Sequence, residues 1–232
     1  MKTIPYQFQE LETVCNEITN QKANCVTFLS LTGNGGASSL CKSVAAGLKA
    51  ERNRVLVIDL NPLNPMPVPQ GADAQYWQFD DISCQLCVIE GPEHDFLTIS
   101  HLAELESAKN KLTMQYAIER LRQEYDYVLI DMSPAMKLNK GNVPLHALSS
   151  CSQMTILIAS LGHNDEEALC IGLKHLRESG HKTIRVVVSQ HHFEPLGERV
   201  MRQLYKHKAR WPRLTRWLGD KLQRQAWLFH NH

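Results

Sequence analysis

The chain carries no excess of either charge. Lys and Arg number 25 and Asp and Glu 24, a net charge of +1 over 232 residues. Such balance argues against a surface built throughout for nucleic acid. No uninterrupted apolar run reaches the roughly 18 residues that a membrane-spanning helix needs. The opening Met-Lys-Thr-Ile-Pro-Tyr-Gln-Phe-Gln-Glu10 also lacks the continuous apolar stretch of a secretory leader, so none is expected. Cysteine is present, but seven residues without regular spacing make no disulfide framework and point to reduced thiols in a cytosolic chain. Cys84-Gln-Leu-Cys87 is a Cys-x-x-Cys pair with no second pair to complete a zinc site. It lies in an apolar, strand-like run and reads as buried structural thiols. His191-His192 and His230-Asn-His232 read as surface residues.

One further absence governs the rest. Ser30-Leu-Thr-Gly-Asn-Gly-Gly-Ala-Ser-Ser-Leu40 has the layout of a phosphate-binding loop and contains no lysine. It follows Cys25–Leu31, an apolar run that reads as a buried strand, and precedes Cys41–Ala50, which reads as the start of a helix. Strand, glycine-rich turn and helix is the arrangement in which backbone N–H groups hold an anion. Gly33, Asn34, Gly35, Gly36, Ala37, Ser38 and Ser39 are the expected nucleotide-binding residues. A complete motif would end in Gly-Lys-Ser/Thr, and Gly36-Ala37-Ser38 stands there instead. The cradle is retained and the charge that acts on a transferred phosphate is missing.

The remaining sequence alternates strands with helices. Residues 1–23 form a polar helical lead-in with Phe8, Leu11, Val14 and Ile18 at helical spacing. Arg54–Leu60 and Tyr125–Asp131 are apolar runs that end in or beside an aspartate, and Met154–Ser160 and Thr183–Ser189 are two more buried strands. Pro62, Pro65, Pro67 and Pro69 make residues 61–80 a loop. A patch of strand is expected near 84–89, a helix over about 101–124, and further helices over Asp165–Ser179 and Glu194–Lys208. Strands apolar throughout and separated by helices predict an α/β fold with a single doubly wound, mostly parallel sheet covered on both faces. The expected division is a lead-in over 1–21, a sheet domain over 22–205 and a C-terminal segment over 206–232.

In such a sheet ligands bind beyond the carboxyl ends of the strands. Ser38, Asp59 and Asp131 converge there and would hold Mg2+ if nucleotide is bound, Ser38 through its hydroxyl and the aspartates through metal-bound water. Each aspartate taken alone is equally well read as a cap on the turn that follows it.

These segments resemble the MinD/ParA-type P-loop ATPases, and within them the cytoplasmic kinase-type ATPases of bacterial exopolysaccharide systems. Ser30–Ser39 is similar to the Walker A loop, Val55–Pro65 to the second acidic motif, and Tyr125-Asp-Tyr-Val-Leu-Ile-Asp-Met-Ser-Pro134 to the family's YDYVIIDTPP pattern. Pilus-localisation proteins of the CpaE/TadZ type and BcsQ-like cellulose proteins are similar in the same places. The resemblance implies ATP or ADP with Mg2+ as ligands, a homodimer, and a place on the cytoplasmic side of an inner-membrane polysaccharide synthase or secretion complex. The departures matter as much. Ala37 replaces the catalytic lysine, Thr32 the signature lysine and Asn61 the second acid, and no tyrosine cluster follows Tyr205. Lys42, one helical turn beyond the loop, is expected to point away from the phosphates. The reading is a pseudo-ATPase scaffold or regulator. The alternatives are a weak ATPase or tyrosine-kinase-type protein, whose catalytic carboxylates would be Asp59 and Asp131, and a ParA-like DNA partition factor, which the near-neutral charge disfavours.

Residues 206–224 carry Lys206, Lys208, Arg210, Arg213, Arg216, Lys221 and Arg224 against Asp220, with Trp211, Leu214, Trp217 and Leu218 at three- and four-residue steps. A basic amphipathic helix of this kind suits an anionic membrane surface or a partner's groove, with Arg213, Trp217 and Lys221 as docking residues. It equally suits a terminal helix packed on its own domain.

Overall fold

The computed structural model describes residues 9–33, 35–68, 75–190 and 196–206, together with Leu218, Lys221 and Leu222. The elements run α1 (Gln9–Asn20), β1 (Cys25–Ser30), α2 (Ala37–Ala50), β2 (Val55–Leu60), α3 (Ser83–Leu86), β3 (Asp95–Thr98), α4 (Leu105–Lys109) and α5 (Lys111–Glu124). They continue with β4 (Tyr127–Met132), α6 (Leu145–Leu148), β5 (Met154–Ser160), α7 (Glu166–Glu178), β6 (Ile184–Ser189) and α8 (Leu196–Lys206). The six strands form one sheet in the order β3-β2-β4-β1-β5-β6, every pairing parallel. This is the doubly wound α/β sheet expected from the apolar runs. The chain divides into two compact units, Met1–His191 and His192–His232, and α8 lies in the second.

Alternate residues of each strand feed two cores. On one face Val26, Phe28, Val57 and Leu129 pack against Leu11 and Ile18 of α1 and Leu40, Val44 and Leu48 of α2. On the other, Leu29, Ile58, Ile130 and Leu157 pack against Met114, Ile118 and Leu121 of α5 and Leu176 of α7. Strands covered on both sides have no polar face, which is why β1, β2 and β5 are buried at every position. Helix starts follow their caps. The Asp165 carboxylate accepts from the Ala168 amide at 2.8 Å to open α7, and the Asn110 side chain accepts from the amides of Leu112 and Thr113 to open α5.

Three local expectations need correction. The sequence of Thr183–Ser189 reads as a buried strand, but β6 is the edge of the sheet: none of its residues is fully buried, and Val186 and Val188 are exposed. Residues 84–89 are not a strand: Ser83–Leu86 is a helical turn, set by the Asp81 carboxylate, which accepts from the Ser83 amide at 2.7 Å. The strand in this region is β3, a short Asp-Phe-Leu-Thr run too brief to show a period. Cys84 therefore lies in a helical turn. It is buried, Cys87 is half-buried, and burial raises both thiols above the ordinary range. The continuous helix expected over 101–124 is also broken. A 3-10 turn at Ile99–His101 precedes α4, and Asn110 ends α4 and caps α5.

Candidate functional site

The carboxyl ends of β1, β2 and β4 bring the loop and both aspartates together. The loop leaves β1 at Leu31, whose amide donates to the Ile158 carbonyl on β5 at 2.9 Å. The Leu31 carbonyl accepts from the Met136 amide, in the segment after β4, at 2.9 Å. Asn164 ties the next residue, its side-chain amide donating to the Thr32 hydroxyl at 2.7 Å while its oxygen accepts from the Ser160 amide at 2.6 Å. Gly33 has φ +99° and Gly36 φ +85°, left-handed values that glycine adopts without strain. Gly35 is needed for space: a Cβ there would stand 3.1 Å from both the Ser160 hydroxyl and the Ser30 Cβ.

α2 starts at Ala37 with Gly36 as its N-cap and no side chain accepting from its first turn. Gly36 has no side chain to accept from that turn, which leaves its N–H groups without a cap, the condition for anion binding at a helix start. Ala37 is buried within the α2-side core, so a packed methyl stands where the resemblance places the lysine. Ser38 follows it, buried, and Ser39 is half-buried. Asn34 lies outside the described residues.

Asp59 and Asp131 are both fully buried and lie side by side in the β2–β4 register, yet their surroundings differ. Asp59 accepts from the Asn61 amide at 3.0 Å, the Met66 amide at 2.6 Å and the Thr98 hydroxyl at 3.4 Å. It caps the proline-rich loop. Burial raises its pKa to about 6, offset by the Met66 and Asn61 amides, the Thr98 hydroxyl and the Lys42 charge. Asp131 has no such support: neither carboxylate oxygen has a hydrogen-bond partner among the described residues. Burial, first, and the Asp59 charge raise its pKa to about 8. The Ser38 hydroxyl faces it and lowers it in part, without completing a bond of normal geometry, and the Lys42 charge does the same.

Lys42 stands four residues after Ser38 on the same face of α2, half-buried. The charge of Lys42 reaches the two aspartates and His94 alike, without a hydrogen bond or ion pair to any of them among the described residues. Asn61 takes no acidic role. Its oxygen accepts from the Ser133 hydroxyl at 3.2 Å, and Ser133 accepts from the Asn142 side-chain amide at 3.0 Å, a buried chain behind the strand ends. Asn142 and Asn164 carried no signal in the sequence, since each sits in an ordinary loop outside the motif it braces, nine residues from Ser133 and 132 from Thr32.

The donors present fit a magnesium nucleotide in part. Mg2+ is held through one or two carboxylates with phosphate oxygens and water, and Asp131 and Ser38 offer one carboxylate and one hydroxyl. No cluster of three or more His, Cys, Asp or Glu side chains able to hold a metal occurs among the described residues, so phosphate oxygens would have to complete any site. Of the expected docking residues, Lys221 is exposed and Arg213 and Trp217 lie outside the described residues. Among the described residues no helix is long and apolar enough to cross a membrane.

Six parallel strands, with a glycine-rich loop after β1 and an acid one residue before the ends of β2 and β4, make up a doubly wound parallel α/β fold. Comparison with solved structures agrees. The kinase domain of the Escherichia coli tyrosine kinase ETK matches with a TM-score of 0.63 at 14% identity, covering 81% of this chain and 80% of that one. A plasmid partition protein from Borrelia burgdorferi matches with a TM-score of 0.52 at 16% identity, covering 78% and 87%. Cobyrinic acid a,c-diamide synthase from Mycobacterium smegmatis, solved with a bound ATP analog and magnesium, matches with a TM-score of 0.53 at 14% identity, covering 71% and 70%. No family model matches the chain. Two curated relatives from Pseudomonas putida, an uncharacterized protein and an uncharacterized protein in the gidB 3' region, are each 26% identical over 121 residues. That stretch is 46% of this chain and 46% of each relative, so the match spans less than half of their length.

Proposed function

We infer that the chain is a MinD/ParA-like protein that binds ATP or ADP with Mg2+ and turns it over slowly or not at all. It serves as a scaffold or regulator of a bacterial inner-membrane exopolysaccharide, cellulose or pilus system. The observation that carries this reading is the pairing of a glycine-rich loop and an uncapped helix start with a buried methyl at Ala37. The loop is clamped, its helix start is uncapped, and Asp131 stands unpartnered beside Ser38. A phosphoryl-transfer site without its lysine lacks the charge that offsets the β and γ oxygens, which raises the barrier by roughly several kcal/mol. Backbone N–H groups and a metal ion can still hold the phosphates. The solved neighbours of the same fold include the ETK kinase domain and a ligand-bound ATP-analog complex, which support nucleotide as the ligand class.

A face-to-face homodimer across the loop and docking of the basic segment 206–232 on an anionic membrane or partner belong to the same proposal. Calorimetric titration with Mg-ATP and Mg-ADP, paired with a phosphate-release assay, tests the central part. Micromolar binding with negligible release supports it. No heat at millimolar nucleotide refutes nucleotide binding, and rapid release refutes the pseudo-ATPase reading in favour of an active enzyme.

A further inference from the structure

The positive charge missing at position 37 has a counterpart from another part of the chain. Lys137 ends the 3-10 turn Ala135–Lys137 that follows β4. A Cβ built on Gly33 would meet its Nζ at 3.1 Å and its Cε at 3.6 Å, so the ammonium lies directly against the backbone of the phosphate loop. The approach is anchored at both ends. The Met136 amide donates to the Leu31 carbonyl where the loop begins, and the Lys137 amide donates to Pro134 at 2.9 Å, closing the turn. Pro134 itself stands 3.4 Å from the same Gly33 Cβ position. Among the described residues no carboxylate pairs with Lys137.

The two sides of the loop therefore ask for opposite charges. The uncapped start of α2 and the Lys137 ammonium favour an anion, while the unpartnered, fully buried Asp131 beside Ser38 favours a cation. A metal-bound di- or triphosphate satisfies both.

We propose that Lys137, reaching over Gly33 from the segment after β4, is the phosphate-binding lysine of this site in place of the residue absent at position 37. The proposal rests on the nucleotide-binding reading above and adds which side chain holds the phosphate. Lys137 comes from the segment after β4 and not from the first turn of α2, so it binds the phosphates without occupying the place from which a P-loop lysine acts in transfer. It also links the anion to the segment that runs from β4 to Asn142.

The test is calorimetric titration of the full chain with Mg-ATP and Mg-ADP, comparing wild type with Lys137→Ala, Lys137→Arg and Lys140→Ala. Lys137 and Lys140 are both exposed at the surface, so neither truncation disturbs the core, and thermal melts confirm it. A charge-assisted contact of this kind is expected to give about a 10- to 100-fold loss of affinity in Lys137→Ala. Lys137→Arg should retain most of the affinity and Lys140→Ala all of it. Unchanged affinity in Lys137→Ala, or an equal loss in Lys140→Ala, overturns the role of Lys137 and leaves nucleotide binding standing. Absence of binding by the wild type overturns both.

Discussion

Replacing Asp131 by Asn is expected to make the protein more stable, by an amount that grows with pH. The carboxyl is fully buried, neither oxygen is hydrogen-bonded, and its pKa stands at about 8 against an ordinary 3.8. A folded-state pKa above the unfolded value means that the folded chain binds the extra proton. Stability therefore falls as pH rises from about 4 to about 8 and is level outside that window. The slope is about 1.4 kcal/mol per pH unit. At pH 7 this amounts to as much as about 4 kcal/mol, and water entering the site and relaxation around it reduce that to roughly 2–3 kcal/mol. The amide is uncharged and avoids this cost. Urea denaturation of wild type and Asp131→Asn at pH 5, 6, 7 and 8 measures the difference directly. It should be small at pH 5 and widen at each step. A variant no more stable than wild type at pH 8, or a difference that does not change with pH, refutes the picture of an uncompensated buried carboxyl. Saturating Mg-ATP should narrow the gap, because a bound cation supplies Asp131 with the partner it lacks.

Ala37→Lys, which completes the motif, is expected to tighten Mg-ATP binding about tenfold or more while lowering stability by about 1–2 kcal/mol through crowding of a packed position. Titration and melting curves check the two effects separately, and unchanged affinity would show that the cradle is not a phosphate site. Gly35→Ala places a methyl 3.1 Å from Ser30 and Ser160; a loss of about 1–2 kcal/mol by denaturation is expected, together with weakened nucleotide binding. His181 is buried, with Nδ1 at 2.7 Å from the Thr155 hydroxyl and Nε2 at 2.9 Å from the Leu145 carbonyl, and burial lowers its pKa below the ordinary 6.5. The folded chain thus resists its protonation, and its contribution to stability is lost as pH falls below about 6.5. His181→Gln should flatten that acid limb in urea titrations, and a limb as steep as in wild type would refute the assignment.

The sheet was legible because its strands are apolar on both faces, a pattern that needs no tertiary information. The loop was legible because strand, glycines and helix are contiguous. Asp59 and Asp131 looked alike, each closing a buried strand, and only the next few residues separate them. The amides of Asn61 and Met66 fold back onto Asp59, whereas Ser133, after Asp131, turns toward Asn61 and Asn142. Residues 84–89 misled because Cys, Leu, Val and Ile serve a strand or a buried turn equally, and the capping Asp81 lies just upstream of the run. Lys137 carried no signal at all. Its approach to Gly33 depends on β4 lying beside β1 in the sheet, a neighbour relation that no local pattern encodes.

The clamps on the loop bear on the thermodynamics of binding. Leu31 is held to β5 on one side and to the segment after β4 on the other, and Thr32 is held by Asn164. Those bonds form during folding, so an arriving anion finds a backbone whose freedom is already spent. The cost of ordering Leu31 and Thr32 is therefore met before the ligand arrives. Association should accordingly change amide hydrogen exchange little at Leu31 and Thr32, and the ligand would meet a site shaped before it came.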